Sequence, residues 1–363
     1  MIPQASPFHQ YKMYEKEIRA VVKKVFTSGR YILGTEVKKF EKEFSKFIGV
    51  NSAISCANGT DALFMALKQL ELGKGDEVLV PAHTALASAA AIKMAGAKPV
   101  YVDIKSDTFT IDPDKALKLC NKKTKALIAV HIYGQACDMN KIMKIGKLKN
   151  IKIIEDCAQS VGSSYNNKML GSIGDIGCFS FFPTKNLGAI GDGGCVVTNN
   201  KKLANKIKRF RQYGWNDDRK TLSPGINSRL DELQAAILRI KLVNLNKDNK
   251  LRNNQASFYI NKLRLPEVVT PIIRKNSFHS FHLFVIKCEK RNELMNYLKS
   301  NKIITALHYK TPIHLMPGYS SKKKLPVTEN LSKKILSLPL FPGLTKANQK
   351  KVINKIHQFY SKR

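Results

Sequence analysis

The chain has 363 residues, enough for two domains around sizeable cores. Hydrophobic residues make up 43% of it, which excludes a disordered protein. The net charge is +35, but the lysines are spread along the chain without an arginine- and aromatic-rich stripe, which argues against a nucleic-acid partner and leaves a positive field suited to collecting an anionic substrate.

The seven cysteines are scattered and form no C-x-x-C pair, so no metal site is expected and a reducing, cytoplasmic location is. The first residues are polar and lack the apolar core of a signal peptide. No apolar run reaches the length of a membrane span.

In chain order, 15–26 and 36–47 have helical spacing. The run 53–57 reads as a short strand feeding into Asn58-Gly59-Thr60-Asp61, after which Leu63, Ala66, Leu67 and Leu70 mark an amphipathic helix. A strand, a glycine turn with a hydroxyl and a helix start make an anion site, or an ordinary helix cap. Strands follow at 77–81, 98–104, 126–133 and 151–154, the last running into Glu155-Asp156-Cys157-Ala158-Gln159. A small-residue helix is expected at 85–95. Strands alternating with helices from about residue 50 to 200 predict a largely parallel sheet with helices on both faces, an α/β fold. Ligands in such sheets sit outside the carboxyl ends of the strands. Gly59, Thr60, Asp156, Gln159, Ser180 and Lys185 all fall at such ends.

The stretch 180–194, S-F-F-P-T-K-N-L-G-A-I-G-D-G-G, organises the rest. A buried strand at 176–182 stops at Pro183; Lys185 follows, and four glycines lie within 188–194. A lysine at a strand end beside a glycine-dense loop can carry a Schiff base, or can simply face solvent. Beyond a strand at 195–198 and a basic helix to Phe210, a long helix starting in 225–238 and running past Leu245 bridges to a second unit. That unit reads as α+β, with strands at 280–288 and 303–308 around a helix at 291–299.

Taken together, Y-I-L-G (31–34), N-G-T-D-A-L (58–63), V-H-I-Y-G-Q (130–135), E-D-C-A-Q (155–159), S-F-F-P-T-K-N-L-G (180–188), G-D-G-G (191–194), N-S-R-L-D-E-L-Q-A-A-I-L (227–238) and H-Y-x-x-P-I-H (308–314) resemble the sugar-nucleotide aminotransferases of the DegT/DnrJ/StrS type, nearly end to end. The resemblance implies a fold-type I enzyme using pyridoxal 5'-phosphate (PLP), with a large cofactor domain at 1–245 and a small C-terminal α+β domain at 246–363. It implies that Lys185 holds the cofactor and then moves the proton, that Asp156 pairs with the pyridine nitrogen, and that Gln159 lies near the phenolic oxygen. Gly59, Thr60 and Ser180 would hold the phosphate, completed by Asn227 from a neighbouring subunit, which requires a homodimer with shared active sites. Tyr309, His308, His314 and His282 match positions near the sugar or the interface.

Two departures from the family pattern stand out. Ala85 occupies the place of an aromatic that stacks on the ring, which leaves that face to His83 or to smaller groups, unless His83 is only a turn residue. Asn58 stands where many members have serine. The implied reaction moves an amino group, with L-glutamate the expected donor, to a nucleotide-linked keto-deoxysugar. The motifs lean toward a dTDP-3-keto-6-deoxyhexose, with a 4-keto sugar, or a non-catalytic binding protein on this fold, as alternatives. The product would be an amino sugar for a polysaccharide or glycan.

Overall fold

Seven strands form the central sheet of the computed structural model, which describes residues 1–361. They are β1 (Ser52–Cys56), β2 (Glu77–Pro81), β3 (Lys98–Val102), β4 (Thr124–Val130), β5 (Lys152–Asp156), β6 (Ile176–Ser180) and β7 (Gly194–Thr198), in the order β1-β7-β6-β5-β4-β2-β3. Every neighbouring pair from β6 to β3 is parallel, and β7 alone runs against both β6 and β1.

The strands are apolar on both faces because both are covered. Val78, Val80 and Ile128 point into a core shared with α1 (Gly59–Gln69) and α2 (Leu86–Met94). Leu79, Leu127 and Ala129 point the other way, into a core with Phe40 and Phe44 of the helix Thr35–Ile48. Each such buried Leu, Ile or Phe stabilises the fold by about 1.5–3 kcal/mol. The fold is thus the expected α/β class.

The helix α3 (Glu232–Lys262) is 31 residues long and runs without a break through position 245. Beyond it, Phe284–Cys288 lies between Val268–Val269 and Ile335–Leu338 in a three-stranded antiparallel sheet. The expected strand at 303–308 is not there. It is replaced by two isolated bridges, Ile303 with Ile2 and Ala306 with Ser337. Ile303 N–H closes the end of the preceding helix by donating to Leu298 C=O at 2.9 Å, so the chain leaves the sheet direction at once. The third strand comes instead from Ile335–Leu338. The N-terminus also packs here: Ile2 belongs to this unit's core, and Leu340 N–H donates to Gln4 C=O.

Candidate active site

Parallel strands bring their carboxyl ends to one edge, and the register fixes which residues meet there. Gly194, at the start of the reversed β7, lies opposite both Cys56 and Ser180. Asp156, at the end of β5, lies between Val130 and Cys178.

Past β1 the chain turns into α1. Asn58 caps this helix, its Oδ1 accepting from Asp61 N–H at 2.8 Å. A helix N-terminus leaves N–H groups without intrahelical partners and concentrates positive potential. Gly59 opens the helix against β6 so closely that a Cβ there would lie 2.7 Å from Ser180 Cβ. A Cβ on Gly194 would lie 2.3 Å from Asn58 C=O. Gly59 and Ser180 are therefore packed side by side at the start of α1, with Thr60 next along the helix. The loop carrying Asn227 is tied to it, since Ser228 Oγ donates to Asp61 Oδ2 at 2.6 Å and accepts from Ala57 N–H at 3.1 Å. Asn227 itself is exposed.

Asp156 is 4% exposed. Its Oδ2 accepts from Ser88 Oγ at 2.8 Å and its Oδ1 from Ala158 N–H at 3.1 Å. Burial pushes its carboxyl upward, while Ser88, Ala158, Lys185 and His131 favour the charged form. Behind it, Glu155 accepts from the N–H groups of Gly171, Ile173 and Gly174 and pairs with His131 Nε2 at 3.0 Å. Cys157 completes a buried trio with His131 and Glu155 whose ligand atoms lie within 4.8 Å of one another. The Glu155 oxygens are already satisfied, so the trio reads as a support for the β5 end.

Lys185 sits in the turn after β6, its N–H donating to Phe182 C=O at 2.8 Å. Its side chain is half-buried. Burial pulls its ammonium down to about 8, against the attraction of Asp156. A lysine in this range is partly deprotonated near neutral pH and can act as nucleophile and base.

Gln159 joins the two units. Its Oε1 accepts from Tyr133 N–H at 2.8 Å and its Nε2 donates to Tyr309 OH at 2.9 Å. Tyr133 OH bonds to His83 Nε2 at 2.6 Å and donates to His308 C=O. His83 lies in the bend between β2 and α2, is 1% exposed and is packed among Phe109, Tyr133 and Tyr309. Burial lowers its imidazole to about 4. Ala85 stands at the N-cap of α2, makes no side-chain bond to it and offers no ring. His308 Nδ1 bonds to Ser337 Oγ at 2.8 Å, and its imidazole is lowered to about 4 by burial and by Lys185. His282 is lowered well below its usual range by burial, with Lys185 adding to the effect. Tyr309 is raised to about 12 by burial.

Of the expected site residues, His314 stands apart. Its ring is buried against Tyr101, and its Nε2 pairs with Glu329 at 3.2 Å. Among the described residues, no bond joins it to Lys185, Asp156 or Gln159. Sequence reasoning missed Ser88, whose only signal was its place in the first turn of the helix after β2. It also missed how Tyr133 links His83 to the second unit.

These residues suit PLP. A cradle kept open by glycine at a helix N-terminus matches a phosphate dianion, a buried and multiply bonded carboxylate matches a pyridinium, and a lysine near 8 matches an aldehyde. Fold and site together define a PLP-dependent aminotransferase. The profile of the DegT/DnrJ/EryC1/StrS aminotransferase family matches residues 12–357, and the chain belongs to that family. It is 41% identical over 348 residues to a dTDP-3-amino-3,6-dideoxy-alpha-D-galactopyranose transaminase of Aneurinibacillus thermoaerophilus, covering 95% of this chain and 96% of that protein. It is 42% identical to a "pleiotropic regulatory protein" of Geobacillus stearothermophilus, covering 99% of this chain and 98% of that one. The crystal structure of S. venezuelae DesV in complex with a ketimine intermediate superposes with a TM-score of 0.96 at 37% identity, covering 99% of this chain and 98% of that chain. No helix among the described residues is long and apolar enough to cross a membrane.

Proposed function

We propose that this aminotransferase passes an amino group from an amino acid, L-glutamate first among donors, to a keto-deoxysugar carried on a nucleotide. The observation that carries the reading is the meeting of Lys185, Asp156, Gln159 and the Gly59–Ser180 cradle at one sheet edge. The keto-sugar class rests on the transaminase relative named above, and it favours a dTDP-linked 3-keto sugar over a 4-keto one.

Bound PLP supplies an aldehyde for amine capture and a ring that accepts electrons. Gly59, Thr60 and Ser180 would hold its phosphate, with the dipole of α1 opposing the negative charge. Asp156, whose charged form Ser88 and Ala158 favour against burial, would hold a proton on the ring nitrogen. Lys185 would hold the cofactor at Nζ and, once displaced by substrate, move the proton between carbon atoms as a base. Gln159 would steady the phenolic side from its place between Tyr133 and Tyr309. Asn227, exposed on its loop, would reach the phosphate of a second copy in a homodimer. His308, Tyr309 and His282 would border the sugar, while His314, packed on Tyr101 and bonded to Glu329, would only support the fold. The domain division we propose keeps the first unit as the cofactor domain and the second as the substrate cover.

The test is stepwise. PLP is added to the purified protein, then L-glutamate, then a panel of keto-sugar nucleotides, with the visible spectrum followed throughout. The reading expects a visible band that glutamate removes and one sugar restores. A protein that develops no band is not this enzyme, and a regulatory role would then account for the fold.

A further inference from the structure

A second lysine, buried, is bonded to the loop that follows Lys185, and the reaction as derived does not use it. Lys241, on α3, is 3% exposed. Its Nζ donates to Gly188 C=O at 2.6 Å, in the glycine loop three residues beyond Lys185, and to Gln10 Oε1 at 3.2 Å. Gln10 is itself buried, on the short N-terminal helix Pro7–Lys12, and its Nε2 donates to Asn186 C=O at 2.8 Å. Asn186 Nδ2 in turn donates to Asn249 Oδ1 at 2.7 Å and to Ser280 C=O at 2.9 Å. The backbone on the far side of Lys185 is thus gripped at residues 186 and 188 by side chains from the N-terminus and α3.

We propose that Lys241 and Gln10 form a brace that positions Lys185, so that the N-terminal segment sets the geometry of the reactive loop. The inference rests on the reading of Lys185 as the cofactor lysine, but the brace can be measured without it. Loops this rich in glycine have high backbone entropy and need external bonds to stay ordered. The brace supplies two buried carbonyl acceptors with donors, one of them an ammonium, and charge-assisted bonds are the stronger kind. Burial lowers Lys241 to about 8 with Asp248 opposing, so the ammonium is held against a desolvation cost that its bonds must offset. Lys241 touches no part of the cradle and is a positioning residue.

The experiment is amide hydrogen exchange on the full chain without added cofactor, comparing wild type with Lys241→Met and Gln10→Ala. The peptide covering 182–192 should exchange faster by about tenfold or more in both variants, as expected when a local unit loses its tethers. A peptide covering 98–102, at the far edge of the sheet, should exchange as in wild type. Once PLP is added, Gln10→Ala should lower kcat with the donor's KM unchanged, and Lys241→Arg, which keeps a donor and the charge, should exchange closer to wild type than Lys241→Met does. Gln10→Ala keeps the proposal open to refutation should Lys241→Met fail to fold. Wild-type exchange across 182–192 in a folded variant overturns the brace. Equal loosening of 182–192 and 98–102 also overturns it, because the residues would then serve general stability. If the wild type itself takes up no cofactor while the exchange pattern holds, the brace stands and the reading of Lys185 falls.

Discussion

Ser88 Oγ donates to Asp156 Oδ2 at 2.8 Å, and both groups are buried. The bond ties the first turn of α2 to the end of β5 and stabilises the ionised carboxylate that burial opposes. Ser88 also bonds to Thr84 Oγ1 at 3.0 Å, which orients its hydroxyl.

Ser88→Ala removes a donor to the charged form, so the Asp156 pKa rises. The acidic limb of the activity profile should move to higher pH, and kcat/KM at neutral pH should fall by about tenfold, the worth of one bond to a charged group. A pH profile of kcat/KM for wild type and variant checks this; an unmoved acidic limb contradicts it.

Gly59→Ala should fold but bind PLP poorly. Its Cβ would meet Ser180 Cβ at 2.7 Å, so the start of α1 must shift away from β6. Overpacking of this kind costs about 1–3 kcal/mol, and the cradle loses its shape. Titration of PLP by absorbance should give an affinity weaker by about tenfold or more, while thermal melting gives the stability cost directly.

Four histidines with lowered pKa values weigh on the acid side of stability. Burial lowers His83 and His308 to about 4, His279 to about 3 and His282 well below its usual range, from the ordinary value of 6.5. The unfolded chain therefore binds more protons than the folded one between pH 6.5 and about 4. The stability they contribute is present above pH 6.5 and is lost as pH falls through that window, at up to about 1.4 kcal/mol per pH unit for each histidine. Urea melts at pH 7, 6 and 5 should show this slope, and His83→Gln should show a shallower one. An equal slope in the variant contradicts the assignment for His83.

The sheet and its reactive edge were legible because the strands are unbroken apolar runs ending at turn residues, a pattern that burial on both faces imposes. Asp156 and Lys185 could be placed at strand ends from sequence for the same reason. The small unit was less legible. Residues 303–308 are apolar enough for a strand, but pairing depends on partners far along the chain, and here Ile2 and Ser337 each supply a single bridge. His314 sits in the same motif as His308 and Tyr309, yet the chain turns its ring toward Tyr101 and Glu329. The Lys241–Gln10 contact spans 231 positions and breaks the apolar pattern of α3, so no local signal marks it.

The central claim is that Lys185 is the lysine that takes the cofactor, and Lys241 makes the test sharp because burial lowers both to about 8. The measurement is reduction of the PLP-loaded protein with borohydride, followed by peptide mass mapping. The account predicts one labelled lysine, Lys185, and no label in Lys185→Ala while that variant stays folded. Label on Lys241, or on any other lysine in its place, would contradict it.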